Sequence, residues 1–257
     1  QKLVSYDEET VEAIEIGYNG LHLDETLQVF ASIYQYDYDG YQDELQQFDP
    51  IRGAGANFVS NADGITNKGF EVELYYAATE RLTLSGNFSY TETEYGEDYF
   101  VFTVDDPINP VPVFGTFTQG FVSAQVTDPS QASDYTVNLK GGPLKGIPEE
   151  KATIRVSYEQ DTRFGPLYYL LSHSYTGDFS ASGIQRPLDR IDSRETTNLN
   201  ISWFSQDGNL SVRAYIDNLF DNDNYYALST GDHETNYRKS VTALPPRVMG
   251  VDMRYRF

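Results

Sequence analysis

Histidine is the side chain best suited to proton transfer near neutral pH, and this chain has three, His22, His173 and His233, far apart in the sequence. No Gly-x-Ser-x-Gly, no glycine-rich phosphate loop and no His-x-x-x-His spacing accompanies them. The chain is therefore not expected to be an enzyme. The densest set of oxygen ligands is Tyr36-Asp-Tyr-Asp-Gly-Tyr-Gln-Asp-Glu44, where Asp37, Asp39, Asp43 and Glu44 flank Gly40. Carboxylates at alternating positions suit Ca²⁺, but the third ligand before the glycine and the closing acid of an EF-hand loop are missing. A solvated strand end entering a loop is the preferred reading. Asp221-Asn-Asp-Asn224 reads likewise, and neither a metal nor a cofactor is expected.

Two further groups could contact a ligand. The stretch from Gly96 to Glu150 is long for a connection and carries Tyr99, Phe100, Phe102, Phe114, Phe117 and Phe121 beside Glu97, Asp98, Asp105 and Asp106. Exposed aromatics lose hydration energy unless they pack on each other or on a ligand, so this stretch is either a self-packed lid or a small-molecule contact. The second group is Glu71, Glu73, Arg155, Arg213, Asp217, Arg254 and Arg256. All but Asp217, which follows Ile216 and precedes Asn218, fall between apolar or aromatic neighbours in a strand-like pattern, so all should share the polar side of whatever the strands build.

The elements that would position these groups are legible in the period-two alternation. At the C-terminus Met249, Val251, Met253, Tyr255 and Phe257 oppose Gly250, Asp252, Arg254 and Arg256. The same pattern runs through 11–18, 27–38, 68–76, 82–95, 151–160, 167–176, 196–203 and 210–217, giving nine expected strands. Links near 19–26, 78–81, 161–165 and 204–208 are short, and those near 39–65, 96–150, 179–194 and 221–244 are long. A β-sandwich has no reason to sort its links by parity. A transmembrane β-barrel does, with short turns periplasmic and long loops extracellular. The expected fold is all-β: an antiparallel transmembrane β-barrel, with Tyr18, Tyr76, Tyr90, Tyr158, Trp203, Tyr255 and Phe257 as interfacial aromatics.

Composition agrees. Mean hydropathy is −0.50 and no run of eighteen apolar residues occurs, so no transmembrane helix is expected, whereas barrel strands escape such averages. Cysteine is absent, as an envelope protein without disulfides allows. The formal net charge of −21 argues against a nucleic-acid partner, which calls for clustered cations. Nine is odd, whereas single-chain bacterial barrels have even strand numbers, and an open sheet edge is costly in hydrocarbon. The chain is therefore expected to be part of a larger barrel.

Specific words sharpen the expectation. Glu9-Thr-Val-Glu-Ala-Ile-Glu-Ile-Gly-Tyr18, Asn67-Lys-Gly-Phe-Glu-Val-Glu-Leu74, Asp217-Asn-Leu-Phe-Asp-Asn-Asp-Asn-Tyr-Tyr226 and Pro246-Arg-Val-Met-Gly-Val-Asp-Met-Arg-Tyr-Arg-Phe257 resemble the C-terminal barrel half of TonB-dependent outer-membrane receptors. The resemblance covers essentially the whole chain. It implies that residues 1–257 are the last nine strands of a barrel of about 22. It further implies an N-terminal plug outside this chain and uptake of a siderophore, haem, cobalamin or glycan across the outer membrane. The implied partners are outer-membrane lipid, the plug and remaining strands of the same receptor, the TonB complex acting through that plug, and a small-molecule ligand. The polar-side charges would then face the lumen and pair with the plug or with each other. A structural or adhesive barrel without transport is the alternative from a different class.

Overall fold

A computed structural model of the chain describes residues 6–49, 54–102, 136–230 and 238–257. Along the chain run β1 (Thr10–His22), β2 (Leu27–Asp39), β3 (Tyr41–Asp49), β4 (Ala54–Ala62), β5 (Ile65–Ala77), β6 (Leu82–Tyr95), β7 (Phe100–Phe102), β8 (Thr136–Asn138), β9 (Glu150–Gln160), β10 (Leu167–Thr176), β11 (Phe179–Ser180), β12 (Arg190–Ile191), β13 (Arg194–Phe204), β14 (Leu210–Asp217), β15 (Tyr225–Thr230), β16 (Lys239–Ala243) and β17 (Val248–Tyr255). Nine of them form one sheet in the order β1-β2-β5-β6-β9-β10-β13-β14-β17, every neighbour antiparallel. These are the nine strands anticipated from the alternation. β1 runs four residues beyond the expected Tyr18, so the first turn is only Leu23–Thr26, closed by Thr26 Oγ1 donating to the Leu23 carbonyl at 2.7 Å.

The register carries the membrane argument. Cross-strand partners on one face form the row Leu27, Tyr76, Leu84, Val156, Leu171, Leu199, Ile216 and Met249, apolar or aromatic across eight strands. The adjacent row on the same face runs Leu82, Tyr158, Tyr169, Ile201, Ala214 and Val251. On the opposite face the row between them reads Thr83, Ser157, Leu170, Asn200, Tyr215 and Gly250, and the next reads Gln28, Tyr75, Ser85, Arg155, Ser172 and Asn198. A one-residue slip in any strand would exchange the faces, so the pattern fixes the register. None of the described residues covers the apolar face: Met249, Val251 and Met253 are 66%, 70% and 72% exposed. A bare face of this extent is incompatible with water and suited to lipid.

The apolar face has borders. At the loop end Lys68 pairs with Glu92 at 3.0 Å, and Asp37 accepts from Thr66 at 3.0 Å, both among residues of apolar-face parity. At the turn end the same face carries Tyr158, Tyr169, Trp203 and Tyr255, the aromatic girdle expected where hydrocarbon gives way to headgroups. A strand needs about 9–11 residues to span at a tilt. The thirteen or fourteen residues of β1, β2, β5 and β6 therefore project beyond the bilayer.

Four turns at one end of the sheet are short. The four connections at the other end each fold back into a two-stranded ladder, β3–β4, β7–β8, β11–β12 and β15–β16. Period-two reasoning treated these stretches as links. The dry core lies at this end, where the ladders meet the ends of β5 and β6 and the connecting segments. Ala62, Ile65, Tyr95, Tyr99, Val101, Leu139 and Leu144 are buried together, with Tyr38, Tyr41, Ile147 and Ile184 against them. Among the described residues the sheet has no second layer.

One glycine explains part of a motif. Gly69 sits on the polar face between Tyr34 on β2 and Thr91 on β6. The Tyr34 ring crosses it, and its hydroxyl meets Thr91 Oγ1 at 2.9 Å. A Cβ at Gly69 would come within 2.7 Å of the Tyr34 hydroxyl and closer still to the Tyr90 carbonyl. Only glycine leaves room for this three-strand clasp.

Candidate functional site

The polar face gathers all the charges that alternation assigned to it. Glu71 stands opposite Ser32 and Ser89, and Glu73 opposite Phe30 and Asn87. With Glu15, both border an open recess of about 370 Å³ over β1, β2, β5 and β6. Arg155 faces Ser85 and Ser172, Arg254 faces Ser211, and Asp217 faces Val248. Arg213 and Asp252 are register partners on β14 and β17 and form an ion pair, with Arg213 Nε 3.0 Å from Asp252 Oδ2. Arg256 follows β17, its N–H bonded to the Asn209 carbonyl at 2.8 Å. The face is thus acidic on β1 and β5 and mixed in sign on β9, β14 and β17. Among the described residues Glu71, Glu73, Arg155 and Arg254 have no ion-pair partner. Half-exposed charges of this kind are available to a body placed against the face.

The aromatic candidates separate. Tyr99 is buried and stacks on Tyr95 with centroids 5.6 Å apart, and burial pushes its hydroxyl pKa up. Phe100 is exposed, and Phe102 ends β7 opposite Thr136. Phe114, Phe117 and Phe121 lie outside the described residues, as do Asp105 and Asp106. Tyr99 therefore belongs to the loop core. The root of the segment is pinned: Asp98 accepts from Asn138 Nδ2 at 3.1 Å and pairs with Lys140 at 3.4 Å, which holds its carboxyl below the usual range.

The four oxygen-ligand candidates do not converge. Asp37 accepts from Gln35 and Thr66 on the apolar-face side of β2. Asp43 is buried, accepting from the Tyr95 hydroxyl at 3.1 Å and from Lys145 Nζ at 2.8 Å. Lys145 also donates to the Glu44 carbonyl oxygen at 2.6 Å. Asp39 ends β2, opposite Thr10. Among the described residues no three acidic or histidine side chains come together as a metal cage. Asp43 acts as an anchor, tying the β3–β4 ladder to the 139–147 segment.

Asp221-Asn-Asp-Asn224 is likewise a joint. Asn218, just before it, is buried with φ +52°, and its side chain donates to the Asn222 and Pro245 carbonyls at 2.8 and 3.0 Å and accepts from the Asn222 N–H at 3.0 Å. Its own N–H reaches Asn198 Oδ1 at 2.9 Å, and Asp221 Oδ1 accepts from the Arg247 N–H at 2.8 Å. One amide thus ties the end of β14 to the starts of the last loop and of β17. Asn tolerates the left-handed region and offers both donor and acceptor, which accounts for the Asn-Leu-Phe-Asp word. Asn218→Ala should leave buried partners unpaired and lower stability by about 2–3 kcal/mol. Denaturant midpoints of the intact barrel would measure it, with no change contradicting the joint.

Two features gave no signal in the sequence. Arg186 and Asp189 form a buried pair around the 3-10 turn Pro187–Asp189. Arg194 opens β13 with its guanidinium 5.6 Å from the Phe179 ring centroid.

Comparison with known proteins agrees with this geometry. The family described as TonB dependent receptor-like, beta-barrel matches residues 4–219. No curated protein matches the chain. Among solved structures, the ferric yersiniabactin uptake receptor FyuA from Yersinia pestis aligns with a TM-score of 0.67 and 16% identity, over 97% of this chain and 30% of that one. The ferric-catecholate import receptor Fiu from K12 E. coli aligns with a TM-score of 0.62 and 16% identity, over 98% and 28%. The siderophore receptor PiuA from Acinetobacter baumannii gives 0.62 and 15%, over 95% and 28%. At these identities the likeness is one of fold. The chain spans less than a third of each of these three structures.

Proposed function

The chain belongs to the TonB dependent receptor-like β-barrel family, and from that membership we propose that residues 1–257 are the C-terminal part of a receptor importing a scarce ligand across a Gram-negative outer membrane. The observation that carries the reading is the apolar face left uncovered by the described residues, opposed by a polar face on which Glu71, Glu73, Arg155 and Arg254 have no ion-pair partner among those residues. Lipid takes the first face. On this reading the second faces the lumen, where Glu71, Glu73, Arg155 and Arg254 meet the plug supplied by the rest of the receptor. The plug would engage TonB, and the looped end would face outside and receive the ligand. Uptake by FyuA, Fiu and PiuA, as their descriptions state it, makes a ferric siderophore the first cargo to try.

The test is accumulation in cells carrying the intact receptor, with and without TonB, over ferric siderophores, haem, cobalamin and oligosaccharides. Accumulation of one ligand only when TonB is present is expected. Accumulation of none, beside normal assembly, would favour a structural barrel. Removing residues 105–134 should leave assembly intact, because the ladders holding the sheet are untouched, and should lower uptake severalfold. Unchanged uptake would reduce that segment to a surface shield.

A further inference from the structure

Four connections rise from the loop end of the sheet, and one short segment is tied into three of them. Residues 139–147 run between β8 and β9, bent at Gly141 and Gly146, whose φ values are +79° and +77°. The segment is laced to the top of β6. Gly141 N–H donates to the Tyr95 carbonyl at 2.8 Å, Tyr95 N–H to the Gly142 carbonyl at 3.0 Å and Leu144 N–H to Thr93 Oγ1 at 3.0 Å. Its root is the β7–β8 ladder, closed by Leu139 N–H donating to the Tyr99 carbonyl at 2.9 Å. On one side it grips β3, because Lys145 Nζ donates to Asp43 Oδ1 at 2.8 Å and to the Glu44 carbonyl at 2.6 Å. On the other it grips the 179–191 loop: Gly146 N–H donates to the Ser180 carbonyl at 2.8 Å, and Gln185 Nε2 to the Pro143 carbonyl at 3.1 Å. Beneath these ties Leu139 and Leu144 are buried beside Ala62, Tyr95 and Tyr99, and Ile184 packs on the same cluster. The last loop joins elsewhere, by Lys239 Nζ donating to the Leu188 carbonyl.

We infer that residues 139–147 are a strap that makes the connections after β2, β6 and β10 one mechanical body, with Lys145 as its key. The Asp43 side chain is 5% exposed and that of Lys145 38%, so the lysine can leave for water and the carboxylate cannot. If β3 and β4 part from the strap, Asp43 either stays buried without its ammonium or is drawn out to be hydrated. The first course leaves an uncompensated buried charge, which is costly. The second disturbs Tyr95, whose hydroxyl donates to Asp43 at 3.1 Å and whose ring stacks on Tyr99 with centroids 5.6 Å apart. Tyr95 also carries the backbone bonds that seat Gly141 and Gly142. Freeing the first connection therefore loosens the strap, and a loosened strap lets go of Ser180 and Gln185. The three connections hold or release together, and the linkage is reciprocal: release at the 179–191 end is felt at β3 and β4. A contact made on any one of them shifts the other two. The strap needs no cargo, and it stands whether or not the receptor transports.

Hydrogen–deuterium exchange of the intact receptor in lipid nanodiscs, resolved peptide by peptide, tests the strap. Lys145→Met should speed exchange about tenfold or more in β3 and β4 and in the 179–191 loop alike, with β14 unchanged. Asp43→Asn combined with Lys145→Met removes the unpaired charge and should return part of the protection in both regions together. Should Lys145→Met not assemble, Gln185→Ala carries the test from the far end. Gln185 is exposed, and its loss should speed exchange severalfold at 179–191 and in β3 and β4 as well. A rise confined to one region, in either variant, overturns the coupling. No rise in either region on Lys145→Met overturns Lys145 as the key. A rise extending equally to β14 marks a general loss of stability and overturns the strap likewise.

Discussion

Ile201→Arg is expected to destabilise the assembled barrel by about 2 kcal/mol, the cost of a cation facing lipid one residue pair inside the turn-end girdle. Ile201 lies on the apolar face between Tyr169 and Ala214, one row from the eight-strand apolar row. Val212→Arg should cost less, because Val212 pairs with Trp203 and Met253 near the turn end, where the long arginine can reach headgroups. Asn200→Arg, one residue from Ile201 but on the polar face, should be close to neutral. Denaturant unfolding in lipid vesicles would measure all three. Equal costs at Ile201 and Asn200 would remove the distinction between faces.

The second large effect concerns the edges of the sheet. Among the described residues β1 and β17 each have one neighbour, and no ladder joins them to one another. Each edge offers a row of backbone donors and acceptors that lipid cannot satisfy, at several kcal/mol per group. Residues 1–257 exported alone with a signal peptide should therefore aggregate or be degraded, and should yield no heat-modifiable band. Co-expression with the remaining receptor segment should restore the band. A monodisperse, protease-resistant barrel from these residues alone would show that the nine strands close on themselves.

Most of the sheet was legible because its strands obey a single constraint. A strand with lipid on one side and a polar interior on the other must alternate, and Leu210–Asp217 does so throughout and Leu82–Tyr95 as far as Tyr90. Loop parity was legible for the same reason, since turns and loops sit on opposite sides of one membrane. The apparatus above the membrane was not. The partnership of Asp43 with Lys145 spans 102 residues, and no local pattern announces it. Tyr99 and Phe100 are adjacent aromatics, one inside the loop core and one outside, a difference made by Tyr95 and Leu139 rather than by their own neighbours. Asn218 could be read as part of a word, but its role in holding a left-handed turn needed the positions of Asn222 and Pro245. Arg194 gave no cue, because a strand-initial arginine in sequence carries no sign of whether it will find a partner.

The most direct test of the account is the environment of adjacent residues along the strands in the intact receptor, read by cysteine labelling with a lipid-restricted reagent. Leu84, Val156, Ile201, Val212 and Val251 occupy the apolar face, and Thr83, Arg155, Asn200, Arg213 and Asp252 the polar face. The account predicts labelling of the first five and protection of the second five, strand after strand. Equal labelling of both sets, or labelling of the polar set alone, would contradict it.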